Sequence, residues 1–424
     1  MDHSLIRVDA ERQITEELRE LFSAEMVERI LQDAVVVQER SNLIAWLEGR
    51  VLRISEELVP DLYQVCRGVC DALDFDEPIE FFVVSAPEIN AAVMESENED
   101  VSHAVLLNSG AVDSLSKEEL SFVIGHELGH LICGAIGLQK VIRHIYPEEK
   151  ATPLPVRLRL ERWRKLEEMS ADRYGLIACG SFDVAQAVMV KLSSGLDLGR
   201  YGFEPAAYSA EIDRILAVIE KSPASNVGES HPEHPLRVKA LSFFWSSGFY
   251  RALLSGEPLE ADPVLSEQVE RIGKMLVTYD NSPLDMARRN LVGAGGLLLA
   301  SADGDIADAE LEMTIDSLAR YTALPAEFLN ELSQDDDLQG VFVDAAQLIL
   351  EVNPAERYGI LKHLAWIAMS DQKLVDSEVE ALYLIGTEFL GLSRTEVAQE
   401  LAGALRESFA PRLPIQPSLR LSNL

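Results

Sequence analysis

The sequence predicts an α+β fold over its first 255 residues, mostly helical with a small β-sheet, followed by an all-α helical bundle. Three observations carry that expectation. Apolar residues recur at helical spacing along most of the chain, as in ERQITEELRELFSAEMVERILQDA near the N-terminus. Two short runs break the pattern. PIEFFVVSA (78–86) is β-branched and aromatic and is closed by Pro87, and SHAVLLNSG (102–110) ends in an Asn-Ser-Gly turn, so both read as strands. Beyond the polar, proline-bearing stretch SGEPLEADPV (255–264), the pattern is helical to about residue 409.

Taken in order, these signals divide the 424 residues into an N-terminal helical segment at 1–48, a central domain at 49–255 and a helical domain at 265–411. Residues 43–73 read as helix. In SLSKEELSFVIGHELGHLICGAIG, Ser114 or Ser116 can cap a helix whose first turn carries Glu118 and Glu119, where the helix dipole favours negative charge. The break IYPEEKATPLPVR (145–157) ends the next segment, and helices resume at 158–179 and near 206–222. PASNVGESHPEHPLR (223–237) is a polar, proline-rich loop entering a further helix, and the tail PRLPIQPSLRLSNL reads as poorly ordered.

Composition narrows the class of function. Apolar residues at 47% and charged residues at 25% are ordinary for a soluble globular protein. A net charge of −34 repels phosphate backbones and anionic lipid heads, which sets nucleic acid aside as a partner. The N-terminus lacks the basic-then-apolar pattern of a secretory signal. No stretch reaches the roughly 18 apolar residues of a membrane span, so no integral membrane segment is expected. LVGAGGLLLASA (291–302) is too short and reads as a buried helix. Four cysteines make no disulfide framework; Cys66 and Cys70, four apart on a helix, read as buried thiols, and a cytoplasmic location is expected.

The chemistry concentrates in SFVIGHELGHLICG (121–134). Residues four apart on a helix share a face, about 6 Å apart along the axis, so His126 and His130 can present two imidazoles to one ion. Glu127, rotated by roughly 100°, can reach a water on that ion without ligating it. This is the H-E-x-x-H arrangement of zinc peptidases. Gly125, Gly129 and Gly134 tell against a helix chosen for propensity alone.

A catalytic zinc needs a third protein ligand and an open position. RKLEEMSADRYG (164–175) supplies Glu168 and Asp172 on one helix face: the first to complete the site, the second to accept the spare N–H of a ligating histidine. Glu167 is the rival ligand, with a five-residue gap to Asp172. SHPEHPLRVKAL (230–241) then places His231, His234 and Arg237 at a loop-to-helix junction, where a histidine or arginine near the metal would stabilise a developing oxyanion.

Together these pieces resemble the zinc metallopeptidase family that includes the CAAX prenyl proteases and HtpX-type heat-shock proteases. The resemblance covers roughly 45–250. It rests on Asn90-Ala91 after a strand, Asn108-Ser-Gly before the helix LSKEELSFVIGHELGH, the E-x-x-A-D segment Glu168 to Asp172, and Ser-His-Pro with an arginine six residues beyond the histidine, His231 and Arg237. It implies a zincin-like (gluzincin) fold and a polypeptide substrate cleaved by a metal-activated water. Zinc would be held by His126, His130 and Glu168, with Glu127 as general base and Asp172 behind the ligands. His231 and Arg237 would be helpers at the oxyanion, and the strand at 102–108 or its neighbour would form the edge on which substrate lies. Two departures stand out: well-known members have membrane helices, and the family's bulky residue after Asn-Ala is here Ala92.

The last third repeats itself. SADGDIADAELE (301–312) aligns with MSDQKLVDSEVE (369–380), pairing Asp303 with Asp371, Asp308 with Asp376, Glu310 with Glu378 and Glu312 with Glu380. This part is similar to tellurite-resistance TerB-like helical domains. Its acids do not follow an EF-hand loop, and Asp308 and Asp376 read as helix caps. The domain is expected to be a regulatory or interaction module for a protein partner. The expected function is thus a zinc metalloendopeptidase. The alternatives are a latent, metal-binding scaffold whose cleft is covered by residues 1–48 or the helical module, and a stress-response binding protein acting through that module.

Overall fold

Alternation along Ile79–Val84 and His103–Asn108 buries one set of side chains on each face and builds the centre of a four-stranded sheet. The computed structural model describes residues 2–34, 43–96, 102–147, 152, 154–221, 234–276, 282–302, 308–322, 324–372 and 375–408. The sheet order is β1 (Leu52–Arg53), β2 (Ile79–Val84), β4 (His103–Asn108), β3 (Ala91–Met94). Strands β2 and β4 run parallel, with Ile79 opposite His103. Strand β1 pairs antiparallel with β2, and β3 antiparallel with β4, with Ala91 opposite Leu107 and Met94 opposite Ala104. The edges are therefore β1 and β3.

The two inner strands fall where the sequence puts them; the two edges do not announce themselves. The expected helix over 43–73 is in fact Leu43–Glu48, then β1, then helix α3 (Pro60–Ala72). Pro60 opens α3 at a position where its missing N–H costs nothing. Strand β1 is held by pairing and by Arg53, whose Nε and Nη2 donate to Glu80 at 2.9 and 2.7 Å.

The chain forms two compact units: Met1–Pro153 with Arg159–Thr278, and Leu154–Leu158 with Tyr279–Leu424. The first unit contains α1 (Asp9–Leu21), α2 (Ala24–Ala34), α3 (Pro60–Ala72), α4 (Lys117–Ile132), α5 (Ala135–Ile145), most of α6 (Leu154–Cys179), α7 (Phe182–Ser194) and α8 (His234–Ser246). Helix α4 packs beside edge strand β3 and against α3, α5 and α7. Gly134, at φ 66° in the left-handed region, turns the chain between α4 and α5. No single helix among the described residues is long and apolar enough to cross a membrane; α4 and α5, bent by 59°, reach that length only as a pair.

The second unit has its own core, built from α9 (Pro283–Ala300), α10 (Asp308–Leu318), α11 (Pro325–Leu332), α12 (Leu338–Val352), α13 (Glu356–Ala368), α14 (Asp376–Leu384) and α15 (Arg394–Ser408). LVGAGGLLLASA is the buried end of α9, as its composition implies. The internal repeat is visible as helices: Asp308 opens α10 and Asp376 opens α14. Neither acid is the cap the sequence suggests: each is the first helical residue, and before the second helix Glu378 Oε2 accepts from Val375 N at 3.0 Å instead. Asp308 and Asp376 act in the first turn, toward the positive end of the dipole. Asp303 lies outside the described residues.

Candidate metal centre

Helix α4 begins with a complete capping box. Ser116 Oγ accepts from Glu119 N at 3.2 Å, and Glu119 Oε2 accepts from Ser116 N at 2.8 Å. Ser114 belongs to the preceding helical turn.

From that start, α4 crosses α6 at very short range through residues without bulk. A Cβ on Gly125 would lie 2.6 Å from Ala178 Cβ, one on Gly129 2.8 Å from Ala171 Cα, and one on Gly175 2.8 Å from Phe122 O. Only glycine at these points lets the backbones meet so closely. The crossing brings the His126–His130 face against the Glu168–Asp172 face.

There the ligand atoms converge. His126 Nε2 and His130 Nε2 are 3.2 Å apart. Glu168 Oε2 is 3.6 Å from His126 Nε2, and Glu168 Oε1 is 4.0 Å from His130 Nε2. Two nitrogens bound tetrahedrally at zinc distances are about 3.3 Å apart, so the spacing suits that ion. His126, His130 and Glu168 form the group able to hold a metal among the described residues.

The hydrogen bonds sharpen the argument. His126 Nδ1 meets Asp172 Oδ1 at 3.1 Å, and His130 Nδ1 meets Glu167 Oε1 at 2.6 Å. Each Nδ1 thus donates to a carboxylate, which leaves each Nε2 as a bare acceptor. Two such acceptors face each other beside a third, the Glu168 carboxylate, and this arrangement calls for a cation. In the metal-free chain a proton can serve. Burial opposes charge on His130, but Glu167, then Glu168 and Glu127, outweigh it and push the imidazolium up to about 10. The residues present therefore fit a divalent metal. The two imidazoles keep 13% and 16% of their side-chain surface exposed, so neither ring is fully sealed from solvent.

Glu127 is buried and contributes to the negative field at His130. Burial raises the Asp172 carboxyl, but Arg237 and His126 more than offset it and hold it below the usual carboxylate range. Arg237 Nε and Nη2 donate to Asp172 Oδ2 and Oδ1 at 2.8 and 2.6 Å, and Nη1 lies 3.0 Å from Glu168 Oε2. Every guanidinium nitrogen of Arg237 thus faces a carboxylate of this cluster. His231 lies outside the described residues; His234 begins α8. Glu167, weighed from sequence as a rival ligand, holds the back of His130 instead. Burial pushes its carboxyl up, with His130 pulling it down.

The N-terminal segment packs on the opposite face of α6. Ser170 Oγ donates to Glu11 Oε2 at 3.1 Å and accepts from Val8 N at 3.0 Å. Arg173 Nη1 donates to Ile6 O at 2.8 Å, and Trp163 Nε1 to Thr15 Oγ1 at 2.8 Å. Glu11 is in turn held by Arg7 at 2.7 Å. Residues 6–15 therefore back the helix that carries Glu168 and do not lie across its metal face.

Residues 57–146 match the family model of peptidase family M48. That span holds α3, strands β2 to β4, and α4 with both histidines and Glu127; Glu168, Asp172 and Arg237 lie beyond it. No solved structure matches the chain.

Proposed function

We propose, from the match of residues 57–146 to the model of peptidase family M48, that the chain is a metallopeptidase acting on polypeptides, and more finely a zinc-dependent endopeptidase with an appended regulatory module. The observation that supports it most is the convergence of three acceptors, His126 Nε2, His130 Nε2 and Glu168, on one point.

His126, His130 and Glu168 would hold the ion, with Asp172 and Glu167 fixing the two rings. When bound, zinc supplies Lewis acidity that activates water and polarises a carbonyl. Glu127 takes the proton of the attacking water and passes it to the leaving amine. Arg237 keeps Asp172 and Glu168 ionised and oriented. An extended substrate lies antiparallel to edge strand β3, which flanks α4. The helical unit, similar in sequence to TerB-like domains, serves as the module for a protein partner. The free thiols Cys66, Cys70 and Cys133, all buried, suit the cytoplasm.

The test is Glu127→Gln in the full chain. The variant should keep zinc and lose cleavage of unfolded casein by on the order of 100-fold or more. A chelator should abolish wild-type cleavage, and zinc should restore it. An undiminished rate in the variant refutes the role given to Glu127.

A further inference from the structure

We propose that Glu167 is a positioning residue that fixes His130 for the metal through the length of its side chain; the inference rests on the zinc reading of the site. Glu167 and Glu168 are consecutive on α6, so their side chains leave the helix about 100° apart and cannot both face the same point. The structure separates their tasks. Glu168 reaches the ring Nε2 atoms, and Glu167 reaches behind His130 to Nδ1 at 2.6 Å.

The two ligand rings are anchored unequally. Asp172 holds His126 and is itself pinned by two bonds from Arg237. It is therefore committed to the first ring. His130 stands one turn further along α4, two residues before the helix ends, and is the more exposed of the two imidazoles. Its described side-chain anchor behind the ring is Glu167, a residue almost completely buried. Releasing that contact frees the ring to rotate and to exchange Nδ1 for Nε2 at the metal. The contact depends on reach. A glutamine at 167 keeps an acceptor oxygen at the same distance, whereas an aspartate falls one methylene short.

The experiment compares Glu167→Gln, Glu167→Asp, Glu167→Ala and Glu168→Gln in the full chain. Zinc affinity is measured by chelator competition, and Co2+ absorption bands report the ligand geometry. Loss of a residue behind a ligand typically weakens binding by about 10- to 100-fold. E167A and E167D should show that loss and an altered Co2+ spectrum, E167Q should stay within a few-fold of wild type, and E168Q should lose the most. Where E167A does not fold, the Q and D pair decides the matter. Wild-type affinity in E167D with a loss in E167Q would mean that charge, not reach, matters, and would overturn the proposal. A larger loss in E167Q than in E168Q would make Glu167 the ligand and overturn it too. A wild-type chain that binds no zinc would instead bring down the metal reading itself, and this inference with it.

Discussion

Arg237 is the residue on which the electrostatics of the centre turn. It joins Asp172, behind His126, to Glu168, beside both imidazoles, within a buried cluster. Arg237→Ala would leave two buried carboxylates facing each other without their cation, an arrangement that costs about 3–5 kcal/mol. Urea unfolding of the zinc-free variant should show that loss. Arg237→Lys should recover only part of it, because an ammonium cannot offer two parallel bonds to Asp172 while reaching Glu168. Both should also bind zinc more weakly. The depressed Asp172 carboxyl adds stability above the ordinary carboxylate range that is lost as pH falls through its folded value; the lysine variant should lose this stability at higher pH. At this scale the sequence was partly legible. His126 and His130, and Glu168 and Asp172, are spacings within one helix, and helical geometry is local. The partners of Arg237 and the task of Glu167 depend on how two helices meet, 65 and 37 residues apart along the chain. Spacing does not carry that information.

The meeting itself belongs to the helices. Gly125, Gly129 and Gly175 weaken α4 and α6 as isolated helices, yet they allow the approach that lines up three acids of α6 with the two histidines of α4. Gly129→Ala puts a methyl 2.8 Å from Ala171 Cα, so the crossing must widen, at a cost of about 1–3 kcal/mol. The expected result is a lower unfolding midpoint together with weaker zinc binding, although residue 129 touches no metal. Gly68 in α3 is the contrast. Nothing lies within 4 Å of its added Cβ, so Gly68→Ala should stabilise the protein by about 0.5–1 kcal/mol and leave zinc binding unchanged. Among the strands, β2 and β4 were readable because they are apolar runs in the interior of the sheet. Strand β3 is Ala-Ala-Val-Met, too short and too weakly patterned to signal itself, and β1 has two residues; both exist because a neighbour pairs with them.

For the molecule as a whole, the division into two units makes a thermodynamic claim. The three residues able to hold a metal all belong to the first unit, while the second has its own apolar core. Zinc bound to the folded site should raise only the first unit's unfolding transition, by about 3–4 kcal/mol at zinc 100- to 1,000-fold above its dissociation constant. Calorimetry with and without chelator should show one transition moving and another standing still. If both move together, the units unfold as one. The strand order holds a final consequence. Strand β3, Ala-Ala-Val-Met, ends the sheet, so a substrate that paired with it as proposed would be gripped by its main chain, which is the same for every amino acid. Such a grip cannot spell out a sequence; it can only ask whether a chain is free to straighten. Selection by this edge would fall on proteins that have lost their shape, whatever they are made of.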